Sequence, residues 1–336
     1  ISISLSNDAK TLVSGSFDKT IKIWHLETGE HRTLTGNNDM ALSVSLSDDN
    51  KTLVSSSQNT IKVWDLTTRE PIHTLAAHKD FVNSISVSDD SKTLVSGSND
   101  KTIKVWNLET GEHRTFTVYQ DVVNSVSISS NGKTLVSGSN NGNIKVWNLE
   151  TGEHRTFTGH QGGVNSVTLS KDDKTLFSCG FDLNIKMWNL ETGEHHTLTG
   201  HNSWVRSLSV SDDGKTLVSS DHAGNIKVWN LETGGHRTLT GHNNLVWSVS
   251  VSTDNNILVS GGYDKTIKVW NLETGEEIHT FTGHQEEVKS VSISRDGKTI
   301  VSGSRDNTIK IWNIDFDWLM ERSCDWVRNY LQHNAP

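Results

Sequence analysis

The sequence contains few of the residues that would indicate a disulfide framework, a membrane span or a nucleic-acid-binding surface. Its 336 residues include two cysteines, Cys179 and Cys324. They are too few and too irregularly spaced for a set of bridges, so a reducing, cytoplasmic setting is expected. No apolar run approaches the roughly 18 residues that cross a bilayer. The net charge of −9 argues against the basic face typical of proteins that bind nucleic acid or membrane surfaces.

Signature motifs of enzymes and metal sites are also missing. The sequence has no C-x-x-C or H-E-x-x-H arrangement and no G-x-S-x-G nucleophile motif. The Gly-rich run at 138–142 is neither a Walker loop nor a dinucleotide fingerprint, and the Asp-Asp-Gly turns lack the twelve-residue alternation of acids found in calcium loops. We therefore predict no catalytic site, no metal site and no cofactor.

What the sequence does contain is one phrase, Ile-Lys-Val-Trp or a near copy, repeated at intervals of roughly 41 residues. The phrase ends at Trp24, Trp64, Trp106, Trp147, Trp188, Trp229, Trp270 and Trp312. Such a period indicates one supersecondary unit copied in tandem, in which neighbouring copies stack to bury their apolar faces. In a tandem repeat most residues occur in several copies, whereas an enzyme usually needs a unique set of catalytic residues. The repeat therefore favours a binding surface over an enzyme.

Each copy has the pattern of four short antiparallel strands. In the copy that starts at Gly200, residues 204–211 alternate apolar and polar, an Asp-Gly turn follows, and residues 216–220, 225–229 and 236–240 form further strand segments. Closing such units into a ring removes their free sheet edges. The sequence thus predicts an all-β protein, a closed β-propeller of eight four-stranded blades. Seven blades plus a displaced copy is the alternative.

The residues at fixed places in each copy resemble the WD40 repeat. They are Gly-His before the first strand, Ser-Gly-Ser-x-Asp after the second, and Ile-Lys-Val-Trp-Asn in the third. The resemblance covers residues 1–314 and implies a propeller, but it implies little about function. The near identity of the copies is similar to bacterial WD40 regions, which are often fused downstream of an NTPase or kinase.

The resemblance also implies a role for many of the histidines. In the WD40 family a His, an Asp, a Ser or Thr and the Trp form a hydrogen-bonded set that holds each blade together. Members matching that pattern are His78, Asp100 and Trp106; His160, Asp182 and Trp188; His242, Asp264 and Trp270; and His284, Asp306 and Trp312. Where Asn37 or Tyr119 replaces the His, Asn59 or Asn141 replaces the Asp, as expected for contacting partners.

One copy breaks this rule. It contains His201, but Ala223 stands at the position where other copies have the Asp partner. Five others recur in a single position of the fourth strand on different blades, with two more close by, and four others share the Gly-His or Ala-His position with His201. We therefore interpret the sixteen histidines as structural rather than as metal ligands.

The copies differ mainly on one of the two predicted faces. The turns after the first and third strands share a face that repeats Ser-Asp-Asp-Gly-Lys and Leu-Glu-Thr-Gly-Glu, which we interpret as a solvated surface. The entry loops and the turns after the second strands share the other face, here called the variable face.

The variable face holds the candidate partner-binding residues, because aromatic and Arg side chains are enriched in interface hot spots. In the WD40 family these positions line the rim around the central channel and commonly contact partners. The candidates are Phe17, Met40, Phe81, Phe181, Trp204, Arg206, Trp247, Tyr263, Lys289 and Arg305. The alternative is that Trp204 and Trp247 only pack on adjacent blades.

The two ends of the chain carry further predictions. The chain opens in strand pattern, which indicates a fragment cut inside its first repeat. The last copy supplies three strands, so its blade is expected to be three-stranded or to have its edge covered. Residues 315–336 change to helical spacing with Asp317 as N-cap, which predicts a short amphipathic C-terminal helix docked on the propeller or contacting another subunit.

Together these features predict a non-enzymatic scaffold or sensor module of a larger protein, which binds a protein or peptide on the variable face. No nucleic-acid or membrane partner is expected, and the oligomeric state stays open. One alternative is a propeller that binds a small molecule or glycan in its channel. A propeller enzyme is the other.

Overall fold

A computed structural model describes residues 2–314 of the chain, except 7, 9, 17, 27, 29, 35–42, 48–49, 69, 77 and 118–120. The described residues form eight antiparallel sheets, which we call blades and number in chain order. Seven of these sheets have four strands in simple up-and-down order, and the eighth has three. The predicted all-β class is confirmed.

The strands of the first four blades follow the predicted repeat. Blade 1 consists of β1 (Ser2–Leu5), β2 (Thr11–Gly15), β3 (Ile21–His25) and β4 (His31–Leu34). Blade 2 consists of β5 (Ser43–Leu46), β6 (Thr52–Ser56), β7 (Thr60–Asp65) and β8 (Pro71–Ala76). Blade 3 consists of β9 (Val82–Val87), β10 (Thr93–Ser98), β11 (Ile103–Asn107) and β12 (His113–Phe116). Blade 4 consists of β13 (Val123–Ile128), β14 (Thr134–Ser139), β15 (Ile144–Asn148) and β16 (His154–Phe157).

The last four blades repeat the same arrangement. Blade 5 consists of β17 (Val164–Leu169), β18 (Thr175–Gly180), β19 (Ile185–Asn189) and β20 (His195–Leu198). Blade 6 consists of β21 (Val205–Val210), β22 (Thr216–Asp221), β23 (Ile226–Asn230) and β24 (His236–Leu239). Blade 7 consists of β25 (Val246–Val251), β26 (Ile257–Gly262), β27 (Ile267–Asn271) and β28 (Glu277–Phe281). Blade 8 consists of β29 (Val288–Ile293), β30 (Thr299–Ser304) and β31 (Ile309–Asn313).

The hydrophobic core lies between blades rather than within one of them. A representative cluster joins Val95 and Ile103 of blade 3 to Val123, Leu135 and Trp147 of blade 4. In blade 3, for example, the second strand is almost entirely buried, whereas the fourth is largely exposed. Because apolar residues alternate along thin sheets, each blade must stack on both neighbours to bury them.

Serine hydroxyls link the first strands of neighbouring blades around the ring. The backbone N–H groups of Val126 and Ile128 donate to Ser84 and Ser86 of the preceding blade, at 3.1 and 3.3 Å. The same arrangement, with Val291 donating to Ser248 at 3.2 Å, recurs between blades 7 and 8. Repeated Ser at alternate positions of the first strand therefore places a polar, internally bonded layer nearest the ring axis.

The ring closes between blades 8 and 1. Strand β1 lies beside β29, and Ile3 and Leu12 of blade 1 pack in one cluster with Val301 of blade 8. All eight copies are thus blades of one ring. The prediction of eight blades is confirmed, and the alternative of seven plus a displaced copy is wrong.

Blade 8 has three strands within the described residues, as expected, and β31 is its outer strand. The predicted helix at 315–336 lies outside the described residues. Within the part of the chain that the structure describes, none of the residues forms a helix with the length and hydropathy that a bilayer crossing requires.

The two faces of the ring divide as predicted. Lys133 and Lys215, in turns after first strands, form ion pairs of 2.8 and 2.9 Å with Glu150 and Glu232, in turns after third strands. All four side chains are more than half exposed. Exposed pairs of this kind contribute little to stability, so this face is mainly a solvated charged surface.

Candidate interaction surface on the variable face

The first set of polar contacts on the variable face is structural. In blade 3, Nδ1 of His78 lies 3.0 Å from Asp100 and Nε2 lies 2.8 Å from the Ser96 hydroxyl, which also accepts a bond from Nε1 of Trp106 at 3.1 Å. Equivalent contacts link His160, Asp182, Ser178 and Trp188; His242, Asp264, Ser260 and Trp270; and His284, Asp306, Ser302 and Trp312. Each set ties the entry loop of a blade to its second and third strands.

Blade 6 supplies the missing partner of His201 from an unexpected place. Nδ1 of His201 lies 2.8 Å from Asp221, the last residue of β22, two positions before Ala223. Asp221 is fully buried and also accepts bonds from the backbone N–H groups of Ala223 and Asn225. The signal in the sequence was Ser-Ser-Asp at 219–221, where most copies read Ser-Gly-Ser or a close relative.

The carboxylates of these sets are held in their charged form. Burial opposes ionisation of Asp264, but the hydrogen bond and charge of His242 and the hydroxyl of Thr266 outweigh it and lower its pKa to about 2. The pKa of Asp221 is lowered for similar reasons, by His201 and Asn225 against the effect of burial. These Asp residues therefore serve as internal hydrogen-bond acceptors rather than as acids or bases near neutral pH.

A second group of histidines packs on the repeated tryptophans. In the fourth strands of blades 3 and 6, the rings of His113 and His236 lie 4.3 and 4.5 Å from those of Trp106 and Trp229. Within the described ranges, no three His, Cys, Asp or Glu side chains group closely enough to hold a metal ion. Cys179 is buried, and burial raises the pKa of its thiol to about 12, so it is not an activated nucleophile.

The variable residues of blades 3–8 are held by a constant backbone frame. The N–H of the residue after the second strand, which we call the turn position, donates to the carbonyl of the residue before the first strand, the entry position, at 2.7 to 3.0 Å. The pairs are Phe81 and Asn99, Val122 and Asn140, Gly163 and Phe181, Trp204 and His222, Leu245 and Tyr263, and Glu287 and Arg305. Side chains at both positions can therefore change without changing the backbone that carries them.

A continuous row of aromatic rings crosses blades 5, 6 and 7 on this face. Ring centroids lie 5.0 Å apart for Phe181 and Trp204, 5.2 Å for Trp204 and His222, and 6.3 Å for His222 and Trp247. Trp204 is 48% exposed. These spacings are in the range of favourable aromatic contacts, so four side chains from three blades form one surface.

Gly163 makes room for the start of this row. A Cβ at this entry position would lie 2.9 Å from the Phe181 ring and 2.8 Å from the Asn140 side chain. The absence of a side chain in blade 5 therefore allows Phe181 to lie against Trp204 of blade 6.

Two cations flank the end of the row. The Arg206 guanidinium lies 4.9 Å from the centroid of Trp247, and the Lys289 ammonium lies 3.4 Å from it. Both distances are within the range of cation–π attraction. The three residues occupy the same strand position, two residues after the entry position, in blades 6, 7 and 8. Nε1 of Trp247 is buried and, within the described part of the protein, has no hydrogen-bond partner.

Glu287 neutralises part of this charge. Its carboxylate is almost fully buried and lies 3.0 Å from Arg305 and 3.4 Å from Lys289. Burial opposes its ionisation, but hydrogen bonds from its own backbone N–H and Arg305, with the charge of Lys289, lower its pKa. Glu287 therefore stays charged and holds both cations in place.

Arg206 differs from the other two cations. It forms no hydrogen bond or ion pair with any residue that the structure describes. Its side chain is half-buried and lies against Trp247, and burial lowers the pKa of its guanidinium. An Arg nevertheless keeps its charge in proteins, so this group is a positive charge without a counter-ion among the residues that the structure describes.

Six of the ten predicted candidates are brought together by these contacts. They are Phe181, Trp204, Arg206, Trp247, Lys289 and Arg305. Tyr263 is 45% exposed at the turn position of blade 7, and its electrostatic effect on Arg305 places it at the same rim. Phe81 belongs to blade 3, separated from Phe181 by blade 4. Phe17 and Met40 lie outside the described residues.

Two members of this surface were not among the ten candidates. His222 connects Trp204 to Trp247, and Glu287 bridges Lys289 and Arg305. Both stand at positions that vary between copies, which is the signal that could have identified them. We call the eight residues Phe181, Trp204, Arg206, His222, Trp247, Glu287, Lys289 and Arg305 the aromatic–cationic patch.

The eight stacked sheets, the closed ring and the His–Asp–Ser–Trp sets define a β-propeller of the WD40 type. The family model described as "WD domain, G-beta repeat" matches residues 1–25, 29–65, 69–107, 112–148, 152–189, 193–230, 236–271 and 275–313. The chain belongs to this family, whose propellers generally act as protein-interaction scaffolds.

A designed protein has a similar structure. The crystal structure of the computationally designed Ika8 protein, in crystal packing No. 1 in P63, superposes with a TM-score of 0.83 at 32% identity. The match covers 93% of this chain and 95% of that one. A comparison with curated proteins found no match.

Proposed function

We propose that this WD40 propeller is a non-enzymatic interaction module that binds a protein or peptide through the aromatic–cationic patch. The observation that carries the proposal is the continuous row from Phe181 to Trp247 with cations at its end. Trp and Arg side chains in contact on a polar surface are typical of interface hot spots.

The exposure of the patch supports an interaction rather than a packing role. Trp204 of the patch and Tyr263 on the same rim are among the few large apolar side chains of the described residues that are exposed, at 48% and 45%. Trp247 is half-buried against Arg206 and Lys289, so packing between blades accounts for part of its burial. Such packing does not account for Trp204, whose side chain stays exposed. The rigid ring also lowers the entropy cost of binding, because the backbone at each position is already fixed.

Capture of partners by the immobilised protein tests the proposal. Proteins retained from an extract of the source organism by the wild type are identified, and the most enriched one is purified and titrated against wild type and Trp204→Ala. A hot-spot tryptophan contributes about 2 kcal/mol or more, so affinity should fall roughly thirtyfold. Trp247→Ala should lower it further.

The matched control changes the opposite face. Lys133→Ala and Glu150→Ala remove an exposed ion pair and should leave the affinity unchanged. Circular dichroism and the melting temperature of every variant establish that the fold is intact. Equal binding by wild type and a folded Trp204→Ala variant would remove the patch as the binding site.

A further inference from the structure

Arg206 is the one cation of the patch whose charge is left uncompensated by a described residue. Lys289 and Arg305 share the Glu287 carboxylate, at 3.4 and 3.0 Å. A half-buried cation without a counter-ion is unfavourable, because burial removes part of the water that would solvate it.

The neighbours of Arg206 increase this cost. Lys289 lies on the same Trp247 ring, and the charge of Arg206 is among the causes, after burial, that lower the pKa of Lys289. Arg206 likewise contributes, after burial, to lowering the pKa of His222. An anion placed at Arg206 would relieve both repulsions.

The same position in blades 3, 4 and 5 shows that a cation is not required by the backbone. There the side-chain amides of Asn83, Asn124 and Asn165 donate to a backbone carbonyl of the next blade, at 2.9, 2.9 and 3.0 Å. A neutral Asn therefore satisfies the fold, and the Arg of blade 6 needs another explanation.

We propose that Arg206 binds the carboxylate of an Asp or Glu side chain in a peptide partner, while an adjacent apolar side chain of that peptide packs on Trp204. This inference rests on the proposed function, since it assigns the partner chemistry of the same patch. A guanidinium that lies over an aromatic ring keeps its in-plane N–H donors available for a carboxylate.

The chemistry around Glu287 indicates a carboxylate rather than a phosphate. The chain itself places the Glu287 carboxylate against the other two cations of the patch, Lys289 and Arg305. On the Arg206 side a single uncompensated charge remains, which one carboxylate neutralises. A phosphate carries nearly two charges and is usually held by a cluster of Arg side chains.

A random nonapeptide library displayed on phage tests the inference, with selection on wild type and on Arg206→Asn. The variant introduces the residue that blades 3–5 carry at this position, so the backbone should accept it. Lys171→Gln, which removes an exposed cation paired with Asp212 on the opposite face, is the matched control. Peptides enriched on wild type and Lys171→Gln should contain Asp or Glu beside an aromatic or aliphatic residue, and those enriched on Arg206→Asn should not.

Synthetic versions of the most enriched peptide then measure the charge preference by fluorescence anisotropy. Wild type should bind the acidic peptide at least about tenfold more tightly than its amide version, since a charge-assisted pair is roughly twice as strong as a neutral one. Arg206→Asn should bind the two versions equally, whereas Trp204→Ala should weaken both by a similar factor.

Three results would overturn the inference. Enrichment of peptides without an acidic residue would reject the carboxylate but leave the proposed function standing. A phosphoserine version that binds tenfold more tightly than the acidic one would make the site a phosphopeptide site. If wild type enriched no peptide at all and captured no protein, the proposed function would fail as well.

Discussion

Blades 3–5 and blades 6–8 carry different chemistry on the same backbone. The strand position holds Asn83, Asn124 and Asn165 in the first group and Arg206, Trp247 and Lys289 in the second. In the first group each side chain bonds to the next blade, so the ring satisfies its own polar groups. In the second, the Trp247 N–H and the Arg206 charge have no partner among the described residues.

This difference shows how a repeat protein acquires a specific surface. The hydrogen bonds between entry and turn positions are present in blades of both groups, so the scaffold does not distinguish them. A buried polar group left without a partner costs about 1–3 kcal/mol. The second group of blades therefore carries a cost that a bound partner can remove, whereas the first group carries none at this position.

The largest effect should come from the relocated carboxylate of blade 6. Asp221→Ala leaves His201 buried without its partner and should lower the free energy of unfolding by about 3 kcal/mol. The double variant Asp221→Ser with Ala223→Asp introduces the arrangement of blades 3 and 8 and should recover most of this loss. Denaturant unfolding measures both. If Asp221→Ala were as stable as wild type, Asp221 would not replace the Asp that blade 6 lacks at position 223.

Converting the second group into the first should abolish binding but preserve the fold. The triple variant Arg206→Asn, Trp247→Asn and Lys289→Asn places in blades 6–8 the residue that blades 3–5 carry. Affinity for a captured partner should fall by at least about a hundredfold, which corresponds to about 2.7 kcal/mol. The melting temperature should change by only a few degrees, because Asn can donate to the next blade from this position.

The reverse control removes the amides from the first group. The variant Asn83→Ala, Asn124→Ala and Asn165→Ala should bind the partner with unchanged affinity and melt somewhat lower, because three bonds between blades are lost. Comparable loss of binding in both triple variants would show that the whole rim, rather than blades 6–8, forms the interface.

The smallest difference between the two groups of blades should be in how their stability depends on acidic pH, because both groups contain His–Asp sets. Burial opposes ionisation of Asp182 in blade 5, but the hydrogen bond and charge of His160 outweigh it and lower the pKa of the carboxyl. The pKa of Asp264 in blade 7 is lowered to about 2. A carboxyl group whose pKa is lower in the folded than in the unfolded state stabilises the fold at pH values above its unfolded-state pKa near 4. This stabilisation is lost as the pH falls through the folded-state pKa.

Asp182→Asn and Asp264→Asn should therefore be less stable than wild type at pH 7, by similar amounts. The difference from wild type should narrow as the pH falls from about 4 towards 2. Thermal melts over this pH range provide the measurement. A difference that stayed constant with pH would mean that the carboxylates contribute through packing rather than through charge.

Much of the fold could be predicted because its signals are local or repeated. Alternating residues, Asp-Gly turns and the recurring Trp identify strands and their order within one copy, and eight copies imply eight blades. The candidate surface was predicted less completely. Variation between copies pointed to Trp204 and Arg206, but the roles of His222 and Glu287 depend on neighbours in other blades or loops.

The sequence by itself determined the repeat, the strands, the family and the face on which the copies differ, since these depend on short-range pattern and on comparison of copies. The tertiary structure alone decided that Asp221 is the partner of His201, that Phe181 to Trp247 form one row, and that no described residue is a counter-ion for Arg206. Trp204 and Trp247, for example, lie in neighbouring copies of the repeat, and only the stacking of blades in a closed ring brings such residues to the same edge of the molecule.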